Sequence, residues 1–206
     1  AHGGTIEVES ELGASTTFAG AIRDFDSNTT AALTKVGAGT LTLTGANNYS
    51  GATTVSAGVL NIQNSSALGS TAGPTNVAAS GLLQLQGGIA VGAEKLNTHR
   101  LENVSGNNSW AGDIQAINGV TLALVSIAGK LTITGNVNAQ SPDGQAHTFY
   151  LDGSGDGEIS GLISNPLNIN KNGSGQWTLT GGVANYSGLT TIAGGATAED
   201  AVQVLY

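Results

Sequence analysis

Cysteine and methionine are absent from the 206 residues, and proline occurs only three times. Without cysteine the chain has no disulfide framework and no thiolate metal site. Charge is also scarce: Asp, Glu, Lys and Arg make up 10% of the residues, against about 25% in an ordinary soluble domain. Coiled coils and helix bundles draw their surfaces from those residues, so both are excluded. Only six residues are Lys or Arg, and the net charge is -8. A chain so poor in cations is not built to neutralise nucleic-acid phosphates or anionic lipid headgroups, so neither is expected as a partner. No apolar run nears the roughly 18–20 residues that a membrane-spanning helix needs. Hydrophobic residues still reach 39%, and they recur in alternating runs, which separates the chain from disordered segments. The start, Ala1-His2-Gly3-Gly4, carries no Met and no signal peptide, so the chain reads as processed or excised material.

Small polar residues take the place of the missing types. Gly, Thr, Ser and Asn account for 91 residues, close to half the chain. Thr40-Leu41-Thr42-Leu43-Thr44 alternates polar and apolar and stops at Gly45; Lys130–Thr134 does so before Gly135, and Trp177–Thr180 before Gly181. Threonine suits the outer side of a strand, leucine and isoleucine the inner. Shorter runs at 5–8, 53–55, 59–62, 82–85, 119–124, 167–169 and 190–192 read alike, each bounded by Gly, Asn or Ser. The nearest approach to a helical period is Ala90–Arg100.

Internal repetition decides among the all-β architectures. Lys35–Gly45 aligns without a gap on Lys171–Gly181, and Asn48–Val55 then aligns on Asn185–Ile192. A shorter motif occurs three times, as Phe18–Ile22, Trp110–Ile114 and Ile159–Ile163. From its glycine to the glycine that closes the following strand is 25, 23 and 20 residues. That spacing is one circuit of a solenoid, in which each coil must present the same face to the next. The expectation is a single all-β segment over residues 1–206, a right-handed parallel β-helix of about nine or ten coils, on the order of 45 Å long. Repeat copies fall near 18–62, 110–139 and 159–195, with interruptions near 63–109 and 136–158. Leu41, Leu43, Leu131, Ile133 and Leu179 should point inward. Gly45, Gly51, Gly135, Gly181 and Gly188 should turn corners where φ is positive or a Cβ would clash. Asn48 and Asn185, at matching corners, are expected in amide ladders, and Tyr49 and Tyr186 at related corners.

Residues 37–60, GAGTLTLTGANNYSGATTVSAGVL, together with 173–195, resemble the autotransporter-associated β-strand repeat of bacterial autotransporter passenger domains. The resemblance implies a passenger exported to the surface of a Gram-negative bacterium through a C-terminal β-barrel. The end of the chain, Ala198–Tyr206, carries no set of amphipathic membrane strands, so passenger alone is expected here.

Candidate chemistry is thin. Asp152, Ser154 and Asp156 occupy positions 1, 3 and 5 of an EF-hand-like calcium loop, with Gly157 at position 6. Position 12 is Ile163, so Glu158 would have to replace the missing bidentate ligand; the alternative is a tight acidic turn between coils. Gly153-Ser154-Gly155, with Asp152 and His147 nearby, superficially suggests a serine-nucleophile elbow. Asp24 and Asp26 beside Arg23 form the best carboxylate pair for glycan cleavage. Trp110 and Trp177 read as core fillers rather than sugar platforms. His2, His99 and His147 share no metal-ligand spacing.

The sequence therefore favours a non-catalytic surface stalk or adhesive scaffold without a cofactor. Its partners would be a glycan or protein of a host cell, a neighbouring cell or the matrix, met by 63–80, 94–109 or 136–158. The alternatives are head-to-tail self-association through open solenoid ends and a glycan-active enzyme.

Overall fold

A computed structural model describes residues 2–11, 13–117, 119–194 and 202–204. Among them there is no helix. Short strands wind into three parallel sheets. Sheet A has nine strands: His2–Glu9, Thr29–Val36, Thr53–Val55, Thr75–Val77, Leu96–Thr98, Ile114–Ala116, Val137–Asn138, Ile163–Ser164 and Val183–Ala184. Sheet B also has nine: Ser15–Phe18, Thr40–Leu43, Gly58–Ile62, Gly81–Gln86, Arg100–Ser105, Leu122–Ser126, Phe149–Asp152, Ile169–Lys171 and Thr190–Ile192. Sheet C begins only at Ala90–Val91 and continues through Asn107–Trp110, Lys130–Ile133, Asp156–Ile159, Trp177–Leu179 and Val202–Val204.

Each strand inside a sheet pairs with its counterparts one coil earlier and one coil later, so the chain is a β-solenoid. Nine strands in each of sheets A and B make eight turns among the described residues, fewer than the nine or ten expected, or about 40 Å at ~4.8 Å each. The circuit varies from 18 residues, Leu96 to Ile114, to 27, Leu124 to Leu151. Ala90–Arg100, the most helix-like stretch in sequence, forms parts of three strands. Its alternation Leu96-Asn97-Thr98, buried at both ends, follows a period of two.

Like residues stack over like along the axis. Leu41, Leu60, Leu83, Leu101, Leu124 and Leu151 form one inward column on sheet B, each at most 1% exposed. Burial of one such side chain contributes about 1.5–3 kcal/mol. Glycine columns run up the corners. A Cβ at Gly135 would strike the carbonyl of Gly112, one at Gly161 that of Gly135, and one at Gly181 that of Gly161. Gly45 stands against Gly20 in the same way. The expected corner glycines are thus required by close approach between coils rather than by positive φ.

The repeat copies do not stand above one another. Lys35 is the last residue but one of a sheet A strand that is followed by Thr40–Leu43 in sheet B; Lys171 ends a sheet B strand and is followed by Trp177–Leu179 in sheet C. Tyr49 therefore precedes a strand of sheet A, and Tyr186 precedes a strand of sheet B. The expectation of matching corners is corrected: the copies share a local structure but lie one side apart. Asn48 is exposed and takes part in no amide ladder. Its buried neighbour Asn47 joins three coils, accepting from the Ile22 N–H at 2.8 Å and donating to the Ala67 carbonyl at 2.5 Å. It does so on the side where the first coils lack a sheet C strand.

Candidate interaction surface

The inward side chains include four polar groups that the hydrophobic pattern did not single out. Lys35 and Lys171 are fully buried. Each stands in an inward column, Lys35 against Val55 and Lys171 against Leu151, so its methylenes replace an aliphatic side chain. The Lys35 ammonium donates to the carbonyls of Val36 at 2.6 Å, Gly37 at 2.7 Å and Ala57 at 3.2 Å. That of Lys171 donates to Asn172 at 2.7 Å and Gly173 at 2.9 Å. Burial lowers both ammonium pKa values, yet each caps corner carbonyls, of which that of Val36 also accepts from the Ser10 N–H at 3.2 Å. Tyr49 is buried and bonds the Thr53 hydroxyl at 2.5 Å. Glu94 is buried and bonds Thr75.

The outward positions form the surfaces a partner would meet. On sheet A, Thr34, Thr54, Asn76, Asn97, Gln115, Asn138 and Ser164 follow one another in register. Asn97 donates to Asn76 at 2.7 Å and Asn138 to Gln115 at 3.1 Å. The ladder continues beside the column, from Asn185 to Asn165 at 3.0 Å and from Asn165 to Asn138 at 3.1 Å. Asn185 thus joins the ladder expected of it. On sheet B an amide patch covers three coils. Asn61 donates to Gln84 and Gln86 at 3.3 and 3.2 Å, Gln63 to Gln86 at 3.2 Å, and Gln84 to Glu102 at 2.8 Å. Arg100 closes the patch through Nε on Glu102 at 2.6 Å. Sheet C carries the other described ion pair, Lys130 to Glu158 at 2.5 Å.

Each of the calcium-loop residues has a protein partner. Asp152 ends a sheet B strand and accepts from the Gly153 N–H at 2.7 Å. Ser154 donates to the Ile127 carbonyl at 2.7 Å, and Asp156 accepts from the Gln176 N–H at 3.0 Å. Glu158 pairs with Lys130. Among the described residues no group of three or more His, Asp or Glu side chains is arranged to hold a metal ion.

The other candidates also find local partners. His147 reaches the hydroxyl of Ser141, not that of Ser154, at 2.9 Å; Ser141 in turn bonds Asp143 in a tight Pro-Asp-Gly turn. Asp24 accepts from the Ala31 N–H at 2.7 Å, a bond that lowers its pKa, and from Ser50. Asp26 accepts from Asn28 at 2.8 Å. Each carboxylate of that pair thus caps backbone. Trp110 and Trp177 are fully buried, and a Cβ at Gly157 would strike the Trp177 ring. The side chain of His2 lies outside the described residues. Of the three segments suggested for binding, 94–109 lies almost wholly in strands, whereas 63–74 and 139–148 run outside the sheets.

A cavity of about 700 Å³ is lined by Ile6, Val8, Phe18, Ile22, Phe25, Leu33, Leu41 and Leu43, with Arg23 and Asp24 at hand. Phe25 is 92% exposed. Among the described residues no helix is long and apolar enough to cross a membrane.

Comparison with known proteins adds a context. Residues 33–62 and 169–197 match the passenger-associated-transport-repeat family, the two stretches that contain Lys35 with Tyr49 and Lys171 with Tyr186. An adhesin, the BmaC autotransporter of Brucella suis biovar 1 (strain 1330), is 34% identical over 166 residues, which are 81% of this chain and 4% of that protein. The chain therefore spans a small fraction of this relative. No solved structure matches it.

Proposed function

We propose that the chain is part of an autotransporter passenger with passenger-associated-transport repeats, displayed at the surface of a Gram-negative bacterium, and that it serves as a non-catalytic adhesive stalk. The observation that carries this reading is the continuous parallel pairing of sheets A and B through nine strands each. Such a rod holds an outer face at a fixed distance from the cell. The related protein is named an adhesin, and the sheet B patch of Gln63, Gln84, Gln86 and Arg100, backed by buried Asn61 and Glu102, is the contact surface we assign. Its donors and acceptors are held in place by one another, which lowers the ordering cost of contact with a host-cell or matrix glycan or protein. The non-catalytic reading is supported by Asp24, Asp26, Asp152 and Asp156, whose carboxylates are all engaged with backbone N–H groups. Beads coated with the segment should adhere to host cells or matrix, and Gln84→Ala with Gln86→Ala should reduce adhesion severalfold. Equal retention of coated and bare beads contradicts the adhesive role.

A second reading, head-to-tail association, rests on the first described coil, where Ile6, Phe18 and Phe25 are exposed. Stacking of copies would pair strand edges heterologously and build a filament. Carboxylates at Glu7, Glu9, Asp24 and Asp26 crowd that coil, and the described final coil, 182–194, offers no cation to meet them. Size-exclusion chromatography separates the two: monodisperse particles of 20.3 kDa dispose of the filament.

A further inference from the structure

Glu94 sits where the chain turns from Ala90–Val91 of sheet C into Leu96–Thr98 of sheet A, and only 2% of its surface is exposed. Its hydrogen-bond partner among the described side chains is the Thr75 hydroxyl, one coil earlier. Thr75 stacks in register on Thr53, whose hydroxyl bonds Tyr49. A polar column thus runs through three coils of an otherwise aliphatic interior. The next coil seals it, because a Cβ at Gly112 would strike the backbone of Glu94. No described cation neutralises the carboxyl. Lys95 is exposed, and the described ion pairs are Arg100–Glu102 and Lys130–Glu158. Asp113, on the covering coil, is exposed and accepts from the Asn136 N–H. Tyr49 is the titratable group that shares the column, and the Glu94 charge helps burial to raise its pKa.

We propose that Glu94 is a pH-operated latch, which keeps the coil of residues 92–98 closed while its carboxyl is protonated and loosens that coil when the proton leaves. An anion here, on a residue of which only 2% is exposed, would have a single hydroxyl donor among the described side chains. Opening the coil is the way to hydrate it. Desolvation pushes the carboxyl pKa up to about 7, against the lowering effect of the Thr75 bond.

The sign follows from linkage. The folded state keeps a proton that the open chain releases at ordinary carboxylate pH. Stability is therefore full below that range, falls as pH rises to about 7, and levels off above it. The closed-to-open ratio should drop by on the order of a hundredfold across the interval. His99 acts in the opposite sense. Burial and Arg100 lower its pKa, so its contribution is lost as pH falls through the imidazole range. The Glu94 effect is accordingly a difference between two proteins.

Hydrogen exchange at the amides of Leu96, Asn97 and Thr98, corrected for intrinsic rate, should be compared between the wild type and Glu94→Gln at about pH 5.5 and about pH 8.5. Wild-type protection should fall about thirtyfold relative to the variant, since part of the full change precedes the lower pH. Parallel behaviour of the two overturns the latch. Should the variant fail to fold, carbon NMR of the glutamate-labelled wild type decides. A side-chain carboxyl titrating near pH 7 supports the latch, and ordinary titration of every glutamate overturns it.

Discussion

Lys35–Val55 and Lys171–Ile192 are two copies of one string on different sides of the same rod. In both, a buried lysine caps the carbonyls of the turn that follows it, and a tyrosine hydroxyl meets the threonine four residues on. In the first copy these events lead from sheet A to sheet B and back to A; in the second they run from B to C, through Val183–Ala184 of sheet A, to B. What the repeat encodes is therefore a corner and its flanking strands, not a face. Because the three sides of a coil have similar lengths and inward aliphatic side chains, any corner can receive it. The shift coincides with the start of sheet C at Ala90–Val91, between the copies.

The copies differ most at tyrosine. Tyr49 is fully buried, whereas Tyr186 packs at the partly exposed last coil. Tyr49→Ala should cost about 3–5 kcal/mol in urea denaturation and Tyr186→Ala under about 1 kcal/mol. Equal losses would show that the position in the repeat, rather than burial in the rod, sets the energetics. The lysines should behave more alike. Lys35→Met and Lys171→Met keep the aliphatic packing and remove the donor, so each should cost about 1–3 kcal/mol. The two losses should be close, since the Val36 carbonyl keeps the Ser10 N–H and two carbonyls are then abandoned at each site. The ladder asparagines should differ slightly: Asn185→Ala should lower stability by about 0.5–1 kcal/mol, while exposed Asn48→Ala leaves the midpoint in place. The smallest effect concerns the 152–158 corner. Millimolar calcium should give no heat in titration calorimetry and no rise in melting temperature, because Asp152, Asp156 and Glu158 are committed elsewhere.

Strand alternation and glycine spacing were legible in the sequence because both are local consequences of the coil. Thr40–Thr44 shows which side of its strand faces inward, and the interval from Gly112 to Gly135 is the length of a circuit. The phase between copies was not legible. It depends on how residues 63–90 add a side to the coil, and no short-range pattern marks that change. Lys35 and Lys171 carried a signal that hydrophobicity alone conceals. In Leu33-Thr34-Lys35 and Ile169-Asn170-Lys171 the period of two turns lysine inward, and a lysine repeated at one position in so cation-poor a chain needs a reason. Asn47 was missed in favour of Asn48 because the aligned Asn-Tyr-Ser drew attention to the exposed member of the pair. Glu94 bears no motif, since its burial arises from Thr75 one coil below and Gly112 one coil above.

The phase shift can be tested directly by disulfide trapping in a chain that has no cysteine of its own. Asn170 and Thr191 are register partners on sheet B, and strands ~4.8 Å apart bring paired cysteines within bonding reach. Asn170→Cys with Thr191→Cys should oxidise rapidly to a cross-linked monomer, while Ser164→Cys with Thr191→Cys should remain reduced. Cross-linking of the 164–191 pair but not the 170–191 pair would place Thr190–Ile192 on sheet A, as Thr53–Val55 is, and would contradict the account.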